Sequence, residues 1–224
     1  MQEFPKLEES TYIKTRKQVH SVAKFIGKFR ETLVDAIAKN DNLWLSVVDK
    51  GFCTPPMQEY NDLEIGFNAE TLILEVANDK NKYASISING KTARTLCDEL
   101  KNLLNNRFGV PVILDADGFD PSKEINIDEK YAQDFLAQFT NLASMVKDFW
   151  KSINDGVKSQ ICLWPHHFDN SFKWFSGRKI DDGDEQMGIG VSCGDETYEL
   201  PYVYLSLWPA LRKTNTLAIP EGAY

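Results

Sequence analysis

The sequence predicts an α+β fold, antiparallel sheet or sheets with long helices packed on one face. Two segments keep a helical apolar period, and blocks of short β-rich runs follow each of them. Turn residues separate those runs at hairpin spacing. Strands arriving in blocks, rather than alternating with helices, argue against a doubly wound parallel sheet.

The first helix is expected from Thr11 to about Asn40, where Val22, Ile26, Phe29, Leu33 and Ile37 draw one apolar stripe. Lys14, Arg16, Lys17, Lys24, Lys28 and Arg30 make the rest of it basic, which reads as a solvated outer face. Strands are expected at Leu43–Val48, Glu59–Phe67, Glu70–Ala77 and Tyr83–Ile88, rich in β-branched and aromatic residues. Asn89-Gly90 turns into a second helix, Lys91 to about Asn106, which Gly109 stops. Val110–Leu114 is expected to be an edge strand. The stretch after it, DADGFDPSKEIN, fails as a calcium loop: Gly118 stands fourth rather than sixth, and Asn126 replaces the closing glutamate. It reads as a polar linker.

The longest helix is expected from Glu129 to about Ile153, with Phe135, Phe139, Leu142, Val146, Phe149 and Ile153 on one stripe. Strand-like segments follow at Ser159–Arg178, Gln186–Cys193 and Pro201–Leu207. The closing residues read as loop, with Leu217–Ile219 as a last edge strand. The order suggests one compact domain over 1–224, with similar halves at 11–114 and 129–219 joined by linker 115–128. A pseudo-repeat and a chance agreement of order both fit.

With 42% hydrophobic residues, 224 positions suffice for a large core. The formal charge of −8 argues against a nucleic-acid partner, which requires a basic surface. No apolar run is long enough to span a membrane. MQEFPKLEES is too polar for a secretory leader, so a cytoplasmic location is expected. Cys53, Cys97, Cys162 and Cys193 lie far apart with no zinc-ligand spacing, and are expected as reduced, mostly buried thiols.

Chemistry concentrates in SQICLWPHHFDNSFKWFSGR, residues 159–178, which holds two of the three histidines. If Trp164–Arg178 is a strand, alternation places His167 and Asp169 on one face and His166 on the other. His167 and Asp169 are the weak metal candidates, but two ligands are too few for tight binding, so no metal or cofactor is expected. A carboxylate beside a histidine also builds a general base, though a buried structural histidine is the commoner use of that pattern. Arg178 has the geometry to hold a carboxylate or phosphate, though a surface or interstrand ion pair is the commoner use of such an arginine. No nucleophile elbow, phosphate loop or dinucleotide fingerprint is present.

Three islands, WPHHFD (164–169), FSGR (175–178) and GIGVSCGDETYELPYVYLSLWP (188–209), stand with an IGK step at Ile26–Lys28 and a TPP step at Thr54–Pro56. Together, over about residues 11–209, they resemble a bacterial family catalogued as domain of unknown function 5996. The resemblance implies a compact, soluble bacterial protein and implies no activity. Members carry HFD or SFD at this step, so it does not require a histidine at position 167.

Two functions are carried forward. One is a binding module for a small molecule or protein, its pocket lined by Trp164, Trp174, Tyr204 and Trp208, with His166, His167, Asp169 and Arg178 as polar contacts. The other is a metal-assisted, hydrolase-like enzyme using His166, His167 and Asp169. The oligomeric state is not legible.

Overall fold

A computed structural model describes residues 8–34, 43–80, 82–114, 124–181 and 183–210. Among them are three α-helices and two larger antiparallel sheets, as the α+β reading expects. Helix α1 (Glu9–Leu33) buries Val22, Ile26, Phe29 and Leu33, and Tyr12, Val19, Ala23 and Phe25 widen that stripe. Its basic residues do not share one solvated face. Lys14, Lys17 and Lys24 are exposed, whereas Arg16 and Arg30 are buried, Arg30 with its guanidinium 5.3 Å from the Trp44 ring centroid. Ile37 and the expected helix end lie outside the described residues.

The first sheet is a meander in chain order: β1 (Ser46–Val48), β2 (Gly51–Cys53), β3 (Glu64–Asn68), β4 (Ile73–Ala77) and β5 (Tyr83–Ser87). β4 buries Leu74 and Val76, and β5 buries Ala84 and Ile86, the alternation of a sheet with one covered face. The sequence pattern misses β2, which lies so close to β3 that a Cβ on Gly51 would stand 2.0 Å from the Phe67 carbonyl oxygen. Glu59 belongs to a 3-10 turn, Gln58–Tyr60, and not to a strand. Val110–Leu114 is not a strand either; Pro111 removes a ladder donor near its start.

Helix α2 (Ala93–Leu103) starts at Thr92, whose hydroxyl accepts the Thr95 N–H at 3.2 Å. It runs into a π-helical turn, Leu104–Phe108, and ends at Gly109 with φ 72°. A short pair, β6 (Lys91–Thr92) with β7 (Glu124–Ile125), occupies the end of the expected linker; 115–123 lie outside the described residues. Helix α3 (Glu129–Ser152) starts at Asp128, whose carboxylate accepts the Tyr131 N–H at 3.2 Å. Phe135, Phe139 and Val146 are buried as the stripe predicts, but Phe149 is 47% exposed.

The second sheet contains β8 (Val157–Lys158), β9 (Cys162–Trp164), β10 (Asp169–Ile180), β11 (Gly183–Ser192) and β12 (Tyr202–Trp208). Its order is β12-β11-β10-β8, with β9 also paired to β10. Reciprocal backbone hydrogen bonds between Leu45 and Leu163, at 2.8 and 2.9 Å, tie the two sheets together. One apolar cluster runs from Tyr12 through Ile65 and Phe135 to Cys193. A smaller one lies between α3 and the second sheet, around Val146, Phe172, Ile189 and Val191. All four cysteines are free thiols, and three are buried.

Candidate functional site

Pro165 to Phe168 is a turn between β9 and β10, so the strand expected across Trp164–Arg178 begins only at Asp169. The turn replaces strict alternation, and His166 and His167 are both exposed and line the same concavity. Phe168 adopts φ 56°, a left-handed conformation that a bulky side chain rarely takes. Its burial compensates: no part of it is exposed, and it stacks on His20, Phe139 and Phe135 at 5.0, 5.5 and 6.1 Å. The phenylalanine of the HFD step is therefore the anchor of a buried aromatic cluster, and its neighbours are thrust outward.

Helix α1 closes on this turn through a glycine. A Cβ on Gly27 would stand 2.7 Å from Pro165 Cγ. Two turns earlier on that face, His20 Nε2–H donates to the Pro165 carbonyl at 2.9 Å. Burial lowers the His20 pKa to about 4, helped by the charges of Lys24 and Arg16 and opposed by the backbone hydrogen bonds. His20 is thus a neutral imidazole at physiological pH.

These elements enclose a concavity of about 770 Å³. Arg16, His20 and Lys24 form its α1 wall, one helical turn apart. His166 and His167 come from the turn, Asp169 from β10, and Tyr202 and Tyr204 from β12. Glu196 and Asp195 follow β11. The chain has three histidines, and all of them line this one concavity.

Asp169 is buried, with Tyr204 donating its hydroxyl to Oδ2 and Oδ1 left without a partner. Burial raises the Asp169 pKa, against the lowering effects of Tyr204, Ser171 and His167. The Tyr204 hydroxyl is raised too, first by burial and then by the Asp169 charge. This pair exists because β11 carries Gly190 between them: Tyr204 pairs with Gly190, and Gly190 with Ser171. A Cβ on Gly190 would stand 2.7 Å from the Tyr204 hydroxyl. Beside it, Tyr202 donates to Asp195 Oδ2 at 2.6 Å, which lowers the Asp195 pKa together with the Tyr198 and Thr197 amides. Arg16, also buried, donates to the Asp195 carbonyl at 3.3 Å and has an unpartnered Nε.

Of the residues expected from the sequence, the concavity gathers His166, His167, Asp169 and Tyr204. Trp164 is half-buried and donates to Ser171 Oγ at 3.1 Å. Trp174 donates to the Asp155 carbonyl at 3.0 Å. Arg178 makes the interstrand ion pair, both bonds to Glu185 at 2.7 Å. Trp208 lies across Gly183 at the far end of the sheet, where a Cβ would meet its ring at 2.3 Å. An extended strand advances ~3.3 Å per residue, so even with the bulge between Phe175 and Lys179 Asp169 and Arg178 stand roughly 20 Å apart along β10. Nearness in sequence becomes distance in a strand.

His20, Arg16 and Asp195 are absent from that expectation. The signal for α1 was present in its spacing: Arg16, His20 and Lys24 recur every fourth residue, along a line that continues to Gly27. No group of three or more His, Cys, Asp and Glu side chains among the described residues is placed to hold a metal ion. No helix among them is long and apolar enough to cross a membrane. No curated protein and no solved structure matches the chain. A family model described as a family of unknown function, DUF5996, matches residues 4–219, and the chain belongs to that family.

Proposed function

We propose that the chain is a binding module for a small polar molecule that carries an acidic group. The convergence of all three histidines, from α1 and from the β9–β10 turn, on one concavity supports this reading most directly. A site of about 770 Å³ has the size of a small-molecule pocket. Lys24 enters no ion pair among the described residues, and with Arg16 it gives the α1 wall a positive character. The opposite wall offers the Tyr202 and Tyr204 rings and the Asp169 carboxyl, which supply flat apolar contact and hydrogen bonding.

The three imidazoles make the test direct, because their ring protons report on the concavity and nowhere else. Titration with a panel of carboxylate, phosphate and nucleotide metabolites is expected to shift all three sets of ring signals for one class. Lys24→Ala should weaken that binding about tenfold, the loss of one charge-assisted contact. A panel in which no compound moves the imidazole signals, or moves them without dependence on Lys24, would refute the reading.

A further inference from the structure

We infer that the chain forms a twofold dimer by pairing its β12 edge with β12 of a second copy. Among the described residues β12 is hydrogen-bonded to β11 alone, so every second residue of it turns an N–H and a C=O outward from the sheet. Natural edges are usually guarded by a charge, an internal proline or a bulge. This one has none of these. From Leu200 to Leu211 there is no charged residue, and the register between β11 and β12 runs unbroken from Gln186↔Trp208 to Ser192↔Tyr202.

The side chains beside that edge are apolar and open. Val203 is 63% exposed, Leu205 65% and Leu207 45%. They pair with Val191, Ile189 and Met187, and so lie on the sheet face that α3 covers further in. These three side chains leave roughly 300 Å² of apolar surface, the size of a typical monomer's largest patch. Two copies would bury about 600 Å² through them alone, the scale of a weak interface, to which the new backbone hydrogen bonds add.

A second copy fits this edge because antiparallel pairing about a twofold axis is self-complementary. Centred on Leu205, it sets Leu205 against Leu205 and Val203 against Leu207 of the second copy, all on the same face. Both chains carry a charge of −8, so an uncharged strand is also where they approach at least electrostatic cost. Tyr202 and Tyr204 point to the other face, leaving the histidine-lined concavity open.

Sedimentation equilibrium on the full chain at tens of micromolar is expected to show a dimer. Leu205→Lys, exposed in the monomer and therefore compatible with folding, should give a monomer with an unchanged melting profile. As a second measurement, hydrogen exchange of the wild type should show β12 amides gaining protection as concentration rises. A wild-type monomer at 200 µM would overturn the inference. A dimer that survives Leu205→Lys would overturn it as well.

Discussion

Gly190→Ala places a methyl group where Tyr204 crosses β11 to reach Asp169. The added Cβ would stand 2.5 Å from Ser171 Cβ, 2.7 Å from the Tyr204 hydroxyl and 2.8 Å from its Cζ. Real Cβ contacts essentially never fall below 3.0 Å, so something shifts. The backbone at Gly190 is one that alanine adopts without strain, and the effect is therefore steric. Ser171 is held by β10–β11 pairing, which leaves the Tyr204 ring as the group that moves. Overpacking of this kind costs about 1–3 kcal/mol, and a buried carboxyl deprived of a donor adds a similar amount. Urea unfolding followed by tryptophan fluorescence should show a loss of about 2–5 kcal/mol, larger than that of Tyr204→Phe. In a Gly190→Ala/Tyr204→Ala double variant the losses should be less than additive, since removal of the ring relieves part of the clash. A Gly190→Ala protein within ~0.5 kcal/mol of wild type would show that Tyr204 does not depend on the glycine, and the Asp169–Tyr204 pairing would lose its structural basis.

Two further outcomes follow from the buried groups around Phe168. The folded chain holds His20 unprotonated down to about 4, whereas the unfolded chain takes up that proton near 6.5. The unfolded state therefore binds more protons in that window, so His20 makes stability rise with pH: the contribution is complete above 6.5 and lost as pH falls towards 4. It amounts to about 3 kcal/mol. His20→Phe, which keeps a ring on Phe168, should flatten the pH profile of stability by that amount relative to wild type; parallel profiles would refute the burial of His20. Phe139→Ala removes a ring that is 3% exposed and stacked on Phe135 and Phe168, and should cost about 3–5 kcal/mol, against ~0.5 kcal/mol or less for Lys147→Ala on the exposed face of α3. Equal losses in thermal or urea unfolding would mean that the stripe of α3 does not face the core.

By itself the sequence determined what periodicity encodes. The stripes of α1 and α3, the antiparallel blocks and the turn residues were all legible, because each depends on neighbours within a few positions. It also singled out the HHFD step, although for its histidines and not for Phe168, the residue that fixes the turn. Only the tertiary structure decided the site. Strand rise carries Arg178 roughly 20 Å from Asp169, whereas the 2.7 Å space over Gly27 brings His20, far away in the chain, against Pro165. Likewise Gly190 reads in the sequence as one small residue in a strand, and only the pairing of β10, β11 and β12 shows that it lets a tyrosine reach an aspartate. A local pattern records which face a residue presents; which distant surface meets that face depends on the absence of side chains at a few crossing points, and those have no periodicity to read.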